Sequence, residues 1–198
     1  MSETSTSQDH VSYYIDHTIY TGRPADTTSR IPKEIRTYDL LDSLGVTYTR
    51  ADHDTLPTME ACQEVGNLLG IEICKNLFLR NTQKTAFYLL ILPGSKKFKT
   101  AALSKQIGSA RLSFAEPEFM EQYLNITPGS VSVLGLMNDP ENKVRLLIDK
   151  DILKNHPYFG CHPCINTSSL KFRTEDLLNK ILPAIHHDYT MVDLPYAE

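Results

Sequence analysis

The sequence has no hydrophobic run long enough to cross a membrane. Its longest apolar run, Phe87 to Pro93, has the length of a strand, whereas a membrane-spanning helix needs about 20 apolar residues. The opening segment MSETSTSQDH has neither the basic flank nor the apolar centre of a secretory signal. These absences argue against a membrane protein, and they predict a cytoplasmic protein with no membrane partner.

Cysteine is scarce, with four residues in 198, at positions 62, 74, 161 and 164. In a reducing cytoplasm such residues are thiols or metal ligands, which excludes a disulfide framework. Cys161-His162-Pro163-Cys164 has the spacing of both a zinc half-site and a redox pair. A redox pair lies at the start of a helix, and the residues after Cys164 do not favour a helix. A zinc site would need a second short-spaced pair, which Cys62 and Cys74 do not form. Ordinary thiols are therefore favoured over zinc or redox chemistry, and no metal or cofactor is predicted.

Acidic residues are missing from one long stretch. The chain has 20 basic and 24 acidic residues, and its formal net charge of -4 disfavours nucleic acid. However, residues 73–115 contain no Asp or Glu, where the average density predicts about 5. With eight basic side chains this segment is +8, which leaves the rest of the chain at -12. The basic residues are Lys75, Arg80, Lys84, Lys96, Lys97, Lys99, Lys105 and Arg111. The split predicts weak, salt-sensitive binding of RNA through one face.

The apolar pattern predicts a single α+β domain. A chain of 198 residues is usually one domain, and 41% hydrophobic side chains can form its core. Short helices and strands are mixed without the regular spacing of a doubly wound fold. Residues 1–32 are polar and without sustained periodicity, so they are predicted to be a mobile or draped extension of a domain at 33–198.

Individual elements follow from periodicity and from turn residues. The strands at 76–80 and 86–92 are predicted to form a hairpin, and the strand at 143–149 is predicted to pair with the one at 130–136. The other predicted strands are 46–52, 111–115, 165–172 and 189–194. Helices are predicted at 33–44, 58–69, 100–107, 117–124 and 174–182.

Three features could carry chemistry. Lys75 interrupts an apolar stretch at the mouth of a strand, where it either reaches solvent or meets an anion. His162 lies in a loop beside Gly160 and is either structural or close to a substrate. The segment GSVSVLG at 129–135 could turn its amides towards an oxyanion or a phosphate, although it lacks the lysine of a P-loop. No Ser-His-Asp triad and no carboxylate pair can be assigned.

Four segments in order resemble a known family. They are KNLFL at 75–79, LSKQIGSARLSFA at 103–115, PGSVSVLGLMND at 128–139 and FGCHPCINTSSL at 159–170, the last followed by TEDLL. Together they resemble the prolyl-tRNA editing family, the YbaK and ProX type aminoacyl-tRNA deacylases related to the insertion domain of bacterial prolyl-tRNA synthetase. The resemblance covers residues 35–194 and favours the free-standing ProX branch with its PrdX-type proteins. It implies a mixed, partly barrel-like sheet surrounded by short helices, and hydrolysis of alanine wrongly esterified to tRNA(Pro).

The resemblance also implies roles for particular residues. Lys75 and Asn76 match the family site at the acceptor end of the tRNA. The segment Gly129-Ser130-Val131-Ser132 falls on the catalytic loop, where Val133 replaces the family proline and so adds an N-H donor and frees φ. His162 and Gly160 match the amino-acid pocket. The predicted tRNA-binding residues are Lys75, Lys96, Lys97, Lys99, Lys105 and Arg111.

The implied partners are the acceptor end of tRNA(Pro) and prolyl-tRNA synthetase, with no DNA partner, and the protein is expected to be a monomer or a weak homodimer. Alanine is the expected amino acid, with cysteine and serine left open. Two other functions are kept as alternatives. The chain could be a non-catalytic tRNA-binding or regulatory homologue, which Val133 favours, or a zinc-binding protein that uses its four cysteines.

Overall fold

The strands form two separate sheets. The structure is a computed structural model and describes residues 12–196. One sheet has four strands in the order β1-β2-β8-β7, and the other has five in the order β5-β3-β4-β6-β9. The strands are Tyr20–Thr21 (β1), Tyr48–Asp52 (β2), Cys74–Asn81 (β3), Phe87–Pro93 (β4), Leu112–Phe114 (β5), Val144–Asp149 (β6), Tyr158–Cys161 (β7), Ser168–Arg173 (β8) and Tyr189–Val192 (β9). The α+β class is confirmed, but neither sheet closes into a barrel.

Short helices connect and cover the sheets. The α-helices are Pro32–Ser43 (α1), Met59–Leu69 (α2), Thr100–Ile107 (α3), Pro117–Leu124 (α4), Lys150–Asn155 (α5), Thr174–Asp176 (α6) and Leu182–Ala184 (α7), with a 3-10 helix at Val133–Asn138 and a π-helical turn at Leu177–Ile181. Within residues 12–196, no helix is both long and apolar enough to span a bilayer.

Capping residues set the ends of α2 as its sequence predicts. Thr58 Oγ1 accepts a hydrogen bond from Ala61 N at 3.2 Å, which satisfies one of the free amides of the first turn. Gly70 ends the helix at φ 66°, a left-handed conformation that glycine adopts without a steric penalty. The helix thereby buries Ala61 and Val65 against β2.

The central hairpin is confirmed. β3 and β4 pair antiparallel from Cys74 opposite Pro93 to Arg80 opposite Phe87. All of β4 is buried, because one face meets the core between the two sheets and the other meets the core beneath α3. A strand covered on both faces has a continuous apolar sequence, as β4 has.

The prediction of a strand at 130–136 is wrong. Ser132 caps a 3-10 helix there, since its Oγ accepts from Leu134 N at 3.2 Å. β6 consequently has no antiparallel partner in that segment and lies parallel to both β4 and β9. Its partners are remote in sequence, so local turn signals could not reveal them.

The segment before α1 contacts the domain over its described part. β1 pairs with β2 through Tyr20 opposite Arg50, and Ile15 is buried and bridges His53. Arg30 donates to Asp52 at 2.7 Å. Residues 12–31 are therefore draped over the four-stranded sheet, while residues 1–11 of the predicted extension lie outside the described residues. The domain boundary at residue 32 stays a prediction.

Candidate functional site

A small cavity opens between helix α2 and three strand termini, which are the first residues of β3, the last residues of β7 and the first residues of β8. Its volume is about 220 Å³, below the roughly 300–1,000 Å³ of pockets that hold drug-sized ligands. Its apolar wall is formed by Met59, Ile71, Ile73, Leu77, Val131 and Leu170. Lys75, Asn76 and His162 also line it. The structure thus brings His162 to the adjacent residues Lys75 and Asn76, as was predicted for one shared site.

Lys75 is held by a backbone carbonyl. Its Nζ donates to Lys96 O at 2.6 Å, across the turn that follows β4. The ammonium is half-buried and forms no ion pair with any described residue. Two of its hydrogens are therefore available to a ligand, which makes Lys75 a fixed cation at the cavity.

Lys96 does not lie where a tRNA-binding residue should lie. Its side chain is 1% exposed, and its Nζ contacts Asp149 at 2.9 Å and Asp151 at 2.8 Å, with the Tyr196 ring centroid 4.7 Å away. Burial opposes the charge, but the hydrogen bonds that the ammonium donates to both carboxylates outweigh it and raise the pKa of Lys96. The prediction that Lys96 binds tRNA is therefore corrected. The ammonium stays charged but is paired with carboxylates inside the protein, and only the Lys96 carbonyl contacts the site, by accepting from Lys75.

Asn76 presents an unsatisfied acceptor. Its Nδ2 donates to Cys74 O at 3.3 Å, whereas its buried Oδ1 has no hydrogen-bond partner among the described residues. An unpaired buried polar atom costs about 1–3 kcal/mol and is uncommon in native proteins. Because Asn76 lines the cavity, a hydrogen-bond donor on a bound ligand would relieve that cost.

His162 is a second acceptor. It directly follows β7, and its Nδ1 lies 2.8 Å from Ser168 O, so the ring must donate there and carry its hydrogen on Nδ1. Burial lowers the pKa of His162 to about 4, which keeps the imidazole neutral at physiological pH. Nε2 then has a lone pair and accepts no hydrogen bond from any of residues 12–196.

A buried network supports this ring. Ser169 Oγ lies 3.4 Å from His162 Nδ1 and 2.9 Å from Nε2 of His53, whose Nδ1 is 2.8 Å from Asp54 O. Since the Asp54 carbonyl can only accept, His53 carries its hydrogen on Nδ1 and accepts from Ser169 at Nε2. The pKa of His53 is also lowered, mainly by burial. Both imidazoles are therefore neutral members of one hydrogen-bonded chain.

These histidines predict a pH-dependent stability. Between pH 6.5 and about 4 the unfolded chain protonates His162 while the folded protein does not, so the free energy of unfolding should fall as the pH falls through that range. The variant His162→Asn keeps a donor towards Ser168 O but cannot titrate. Over the same pH range, its free energy of unfolding should fall less than that of the wild type, by a difference of up to about 3 kcal/mol. Urea unfolding at a series of pH values measures it. The exposed His17 is the control, and equal slopes in His17→Asn and His162→Asn would contradict the prediction.

Comparison with known proteins identifies the family to which this chain belongs. The model of the aminoacyl-tRNA editing domain matches residues 53–180, which include every cavity residue named above. The chain belongs to the aminoacyl-tRNA editing domain family. A prolyl-tRNA editing protein, ProX, of Acetoanaerobium sticklandii is 32% identical over 154 residues, which are 78% of this chain and 93% of that protein. The prolyl-tRNA synthetase associated domain-containing protein 1 of Bos taurus is 27% identical over 142 residues, 70% of this chain and 82% of that protein.

Solved structures share the fold of this editing domain. A proposed trans-editing enzyme for prolyl tRNA synthetase superposes with a TM-score of 0.60 at 17% sequence identity, over 84% of this chain and 99% of that one. The hypothetical protein APE2540 superposes with a TM-score of 0.58 at 18% identity, over 81% of this chain and 98% of that one. Together with the family model, these matches confirm the predicted family and fold class.

The loop at 129–133 of the editing domain contributes backbone more than side chains. Gly129, at φ 85°, and Val131 line the cavity, and their N-H groups donate to no acceptor among the described residues. In contrast, Ser130 Oγ accepts from Asn166 N at 3.1 Å and Ser132 Oγ caps the 3-10 helix, so both hydroxyls are structural. Val133 is fully buried in the core and does not line the cavity, which corrects its predicted role in binding substrate.

The cysteines of the editing domain are neutral thiols. Burial raises the pKa of Cys74 to about 12 and that of Cys164 to about 11, and it raises the pKa of Cys161 as well. Neutral thiols are poor nucleophiles. Across residues 12–196, no three or more His, Cys, Asp or Glu side chains come together as a metal site, so the structure gives the four-cysteine zinc alternative no support. Cys74 and Cys161 form part of the cavity wall.

Other residues of the editing domain site escaped sequence reasoning. His53 and Ser169 are 116 positions apart and meet only because β2 and β8 are neighbours in the four-stranded sheet. Gly160 was predicted, but its partner was not: a Cβ at this position would lie 2.1 Å from Ile71 Cδ1, so the glycine lets Ile71 close the cavity wall. No motif marks Ile71, Met59 or Cys62, since each resembles an ordinary core position.

Proposed function

We propose that the protein is a trans-editing hydrolase that removes the amino acid from mischarged tRNA(Pro), with Ala-tRNA(Pro) as its preferred substrate. The observation that carries the proposal is the unpaired pair of acceptors, Asn76 Oδ1 and His162 Nε2, beside the cation Lys75 in a small apolar cavity. An aminoacyl ester has a donating α-ammonium group, a small side chain and a neighbouring phosphate, which complement these three features. The similarity to the prolyl-tRNA editing protein ProX supports an editing role on proline tRNA, and the choice of alanine is part of the proposal.

Each part of the substrate has a place in the proposal. The α-ammonium donates to Asn76 Oδ1 and His162 Nε2, and the neutral state of His162 is required because an imidazolium would repel it. The alanine methyl lies against the apolar wall near Ile71 and Leu170. Lys75 binds the terminal phosphate of the tRNA. Proline is larger than alanine, so we expect the apolar wall to accept the alanine methyl and to reject the proline ring by its shape. Such a second, smaller sieve is useful because the synthetase gains only about 1–3 kcal/mol per methylene against alanine.

The reaction needs little from protein side chains. We propose that the free amides of Gly129 and Val131, which line the cavity, donate to the ester carbonyl oxygen as it becomes an oxyanion. A water molecule, deprotonated by the ribose 2′-hydroxyl or by a second water, forms the new C-O bond. The bond between the carbonyl carbon and the ribose 3′-oxygen then breaks, and that oxygen takes up the proton. Because the ester is already activated, positioning can replace a strong nucleophile, which agrees with the neutral thiols of Cys74 and Cys161.

A deacylation panel tests the proposal. Purified protein is incubated with tRNA(Pro) charged with alanine, cysteine, serine or proline, and the remaining aminoacyl-tRNA is measured against time. We expect Ala-tRNA(Pro) to be hydrolysed fastest and Pro-tRNA(Pro) to be spared by at least about 10-fold, the discrimination that one or more methylenes provide. Intact Ala-tRNA(Pro), in an assay where a known deacylase clears it, would refute the proposal.

The same panel decides the non-catalytic alternative. Val133 supports that alternative in sequence, but its side chain is buried in the core and forms no part of the cavity wall. Binding of tRNA(Pro) without hydrolysis of any of the four esters would favour a binding module. We also propose the acceptor end of tRNA(Pro) and prolyl-tRNA synthetase as partners.

A further inference from the structure

An exposed aromatic pair lies at one edge of the five-stranded sheet. Phe114 is 61% exposed on the short edge strand β5. Phe98, in the loop before α3, meets it edge to face with ring centroids 6.0 Å apart. Single exposed apolar residues are common in proteins, so exposure alone says little about a ligand, and the surroundings of the pair decide its meaning.

Exposed cations lie on the chain segments that carry the pair and on the neighbouring helix α3. Lys97 and Lys99 flank Phe98, Lys105 lies on α3, and Arg111 directly precedes β5, and all four are exposed. None of them forms an ion pair within residues 12–196. The nearest acidic residue in sequence, Glu116, is already paired with Arg80 at 2.7 Å and Lys84 at 2.8 Å. The surface therefore combines π-faces with free positive charge, as surfaces that bind single-stranded nucleic acid do.

The pair lies on the same sheet face as Lys75. Side chains alternate along a strand, so Lys75, Leu77 and Leu79 share one face of β3. Leu79 is directly opposite Phe114 in the register of β3 and β5, which places Phe114 on that face too. Lys75 and Leu79 are four positions apart, a distance of about 13 Å along the strand. Lys75 and Phe114 therefore belong to the same side of the sheet, with Leu79 between them buried in the core beneath α3.

We propose that Phe114 and Phe98 form an aromatic platform on which an unpaired base near the 3′ end of the tRNA stacks, while Lys97, Lys99, Lys105 and Arg111 hold its phosphates. The inference rests on the proposed function and adds to it a second contact, separate from the amino-acid cavity. The stacked base belongs to the single-stranded terminus, because bases in a duplex do not offer their faces to a side chain.

Kinetics with two substrates test the platform. For Phe114→Ala we expect KM on Ala-tRNA(Pro) to rise roughly 5- to 150-fold, the equivalent of about 1–3 kcal/mol of stacking, with kcat little changed. Hydrolysis of alanyl-adenosine, which has no neighbouring nucleotides, should be unchanged. Phe114→Tyr should restore KM on the tRNA. The matched control is Tyr189→Ala on β9, an exposed aromatic at the opposite edge of the same sheet, which should leave both substrates unaffected.

Three results with Phe114→Ala would overturn the platform. The first is an equal loss of activity on both substrates, and the second is no loss of activity on the tRNA. The third is conversion of a dimer to a monomer in sedimentation, which would make this edge an interface between copies of the chain. Binding of an uncharged single-stranded RNA with the tRNA 3′-terminal sequence, measured by fluorescence anisotropy, separates this inference from catalysis. If the wild type hydrolyses no ester but Phe114→Ala still lowers the affinity for this RNA at least 5-fold, the platform is retained and the proposed deacylase activity is refuted.

Discussion

Replacing Lys75 by alanine should lower kcat/KM for Ala-tRNA(Pro) by about 10- to 150-fold. The expected size is that of a lost charge-assisted hydrogen bond, about 1.5–3 kcal/mol, because Lys75 is the cation at the cavity and the Lys96 carbonyl fixes its position. Steady-state deacylation of the purified variant measures the loss. The effect should appear mainly in KM if the phosphate is bound equally in the ground state and the transition state, and in kcat if the contact strengthens during the reaction.

Two further variants separate this role from folding and from general charge. Lys75→Arg keeps the charge but replaces a compact ammonium by a planar fork, so partial activity is expected. Lys97→Ala removes an exposed cation outside the cavity and should have a smaller effect, at most a few-fold at physiological salt. Full activity of Lys75→Ala, with an unchanged unfolding midpoint, would refute the proposed role.

Replacing Lys96 by methionine should destabilise the protein by about 3–5 kcal/mol. Asp149 is fully buried, and the substitution removes a cation that contacts it at 2.9 and 3.1 Å, so a buried carboxylate loses its counter-charge. Asp149 also accepts from Asp151 N at 3.0 Å and from Leu194 N at 3.0 Å, which ties α5 and the C-terminal segment to the same carboxylate. Urea denaturation should therefore show a large drop in midpoint.

The neighbour Lys97 provides the matched control. Lys97→Met changes an exposed side chain and should alter stability by less than about 0.5 kcal/mol. Adding Asp149→Asn to Lys96→Met should recover part of the loss, because it removes the uncompensated charge while the amide oxygen still accepts hydrogen bonds. A single variant Lys96→Met as stable as Lys97→Met would contradict the buried ion pair.

Local sequence signals were sufficient for elements that carry their own boundaries. Thr58 and Gly70 mark the two ends of α2, and Pro117 marks the start of α4, so these helices were predicted within a residue or two. The hairpin of β3 and β4 was equally clear because its strands are neighbours in sequence. The error at 130–136 has the same origin: serine and valine alternate there as in a strand, but the Ser132 side chain caps a 3-10 helix.

The site was only partly predictable. Lys75, His162 and the 129–135 segment stood out in the sequence itself, and the family resemblance added Asn76 and gave them roles. The structure places Lys75, Asn76, Gly129 and His162 at one cavity. His53 and Ser169 depend on the pairing of strands that are more than a hundred residues apart, which no local pattern encodes. Charge counting treated Lys96 like its neighbours, because the sequence does not show that Asp149 and Asp151 lie beside it.

The C-terminal segment has a practical consequence for preparing this protein. Tyr196 covers the Lys96 ammonium and donates to Asp151 at 2.9 Å, and the Lys96 carbonyl in turn holds Lys75. A preparation that lacks Tyr196 would lose this cover over the Lys96 ammonium, so the mass of the purified chain is best checked before the cavity is assayed.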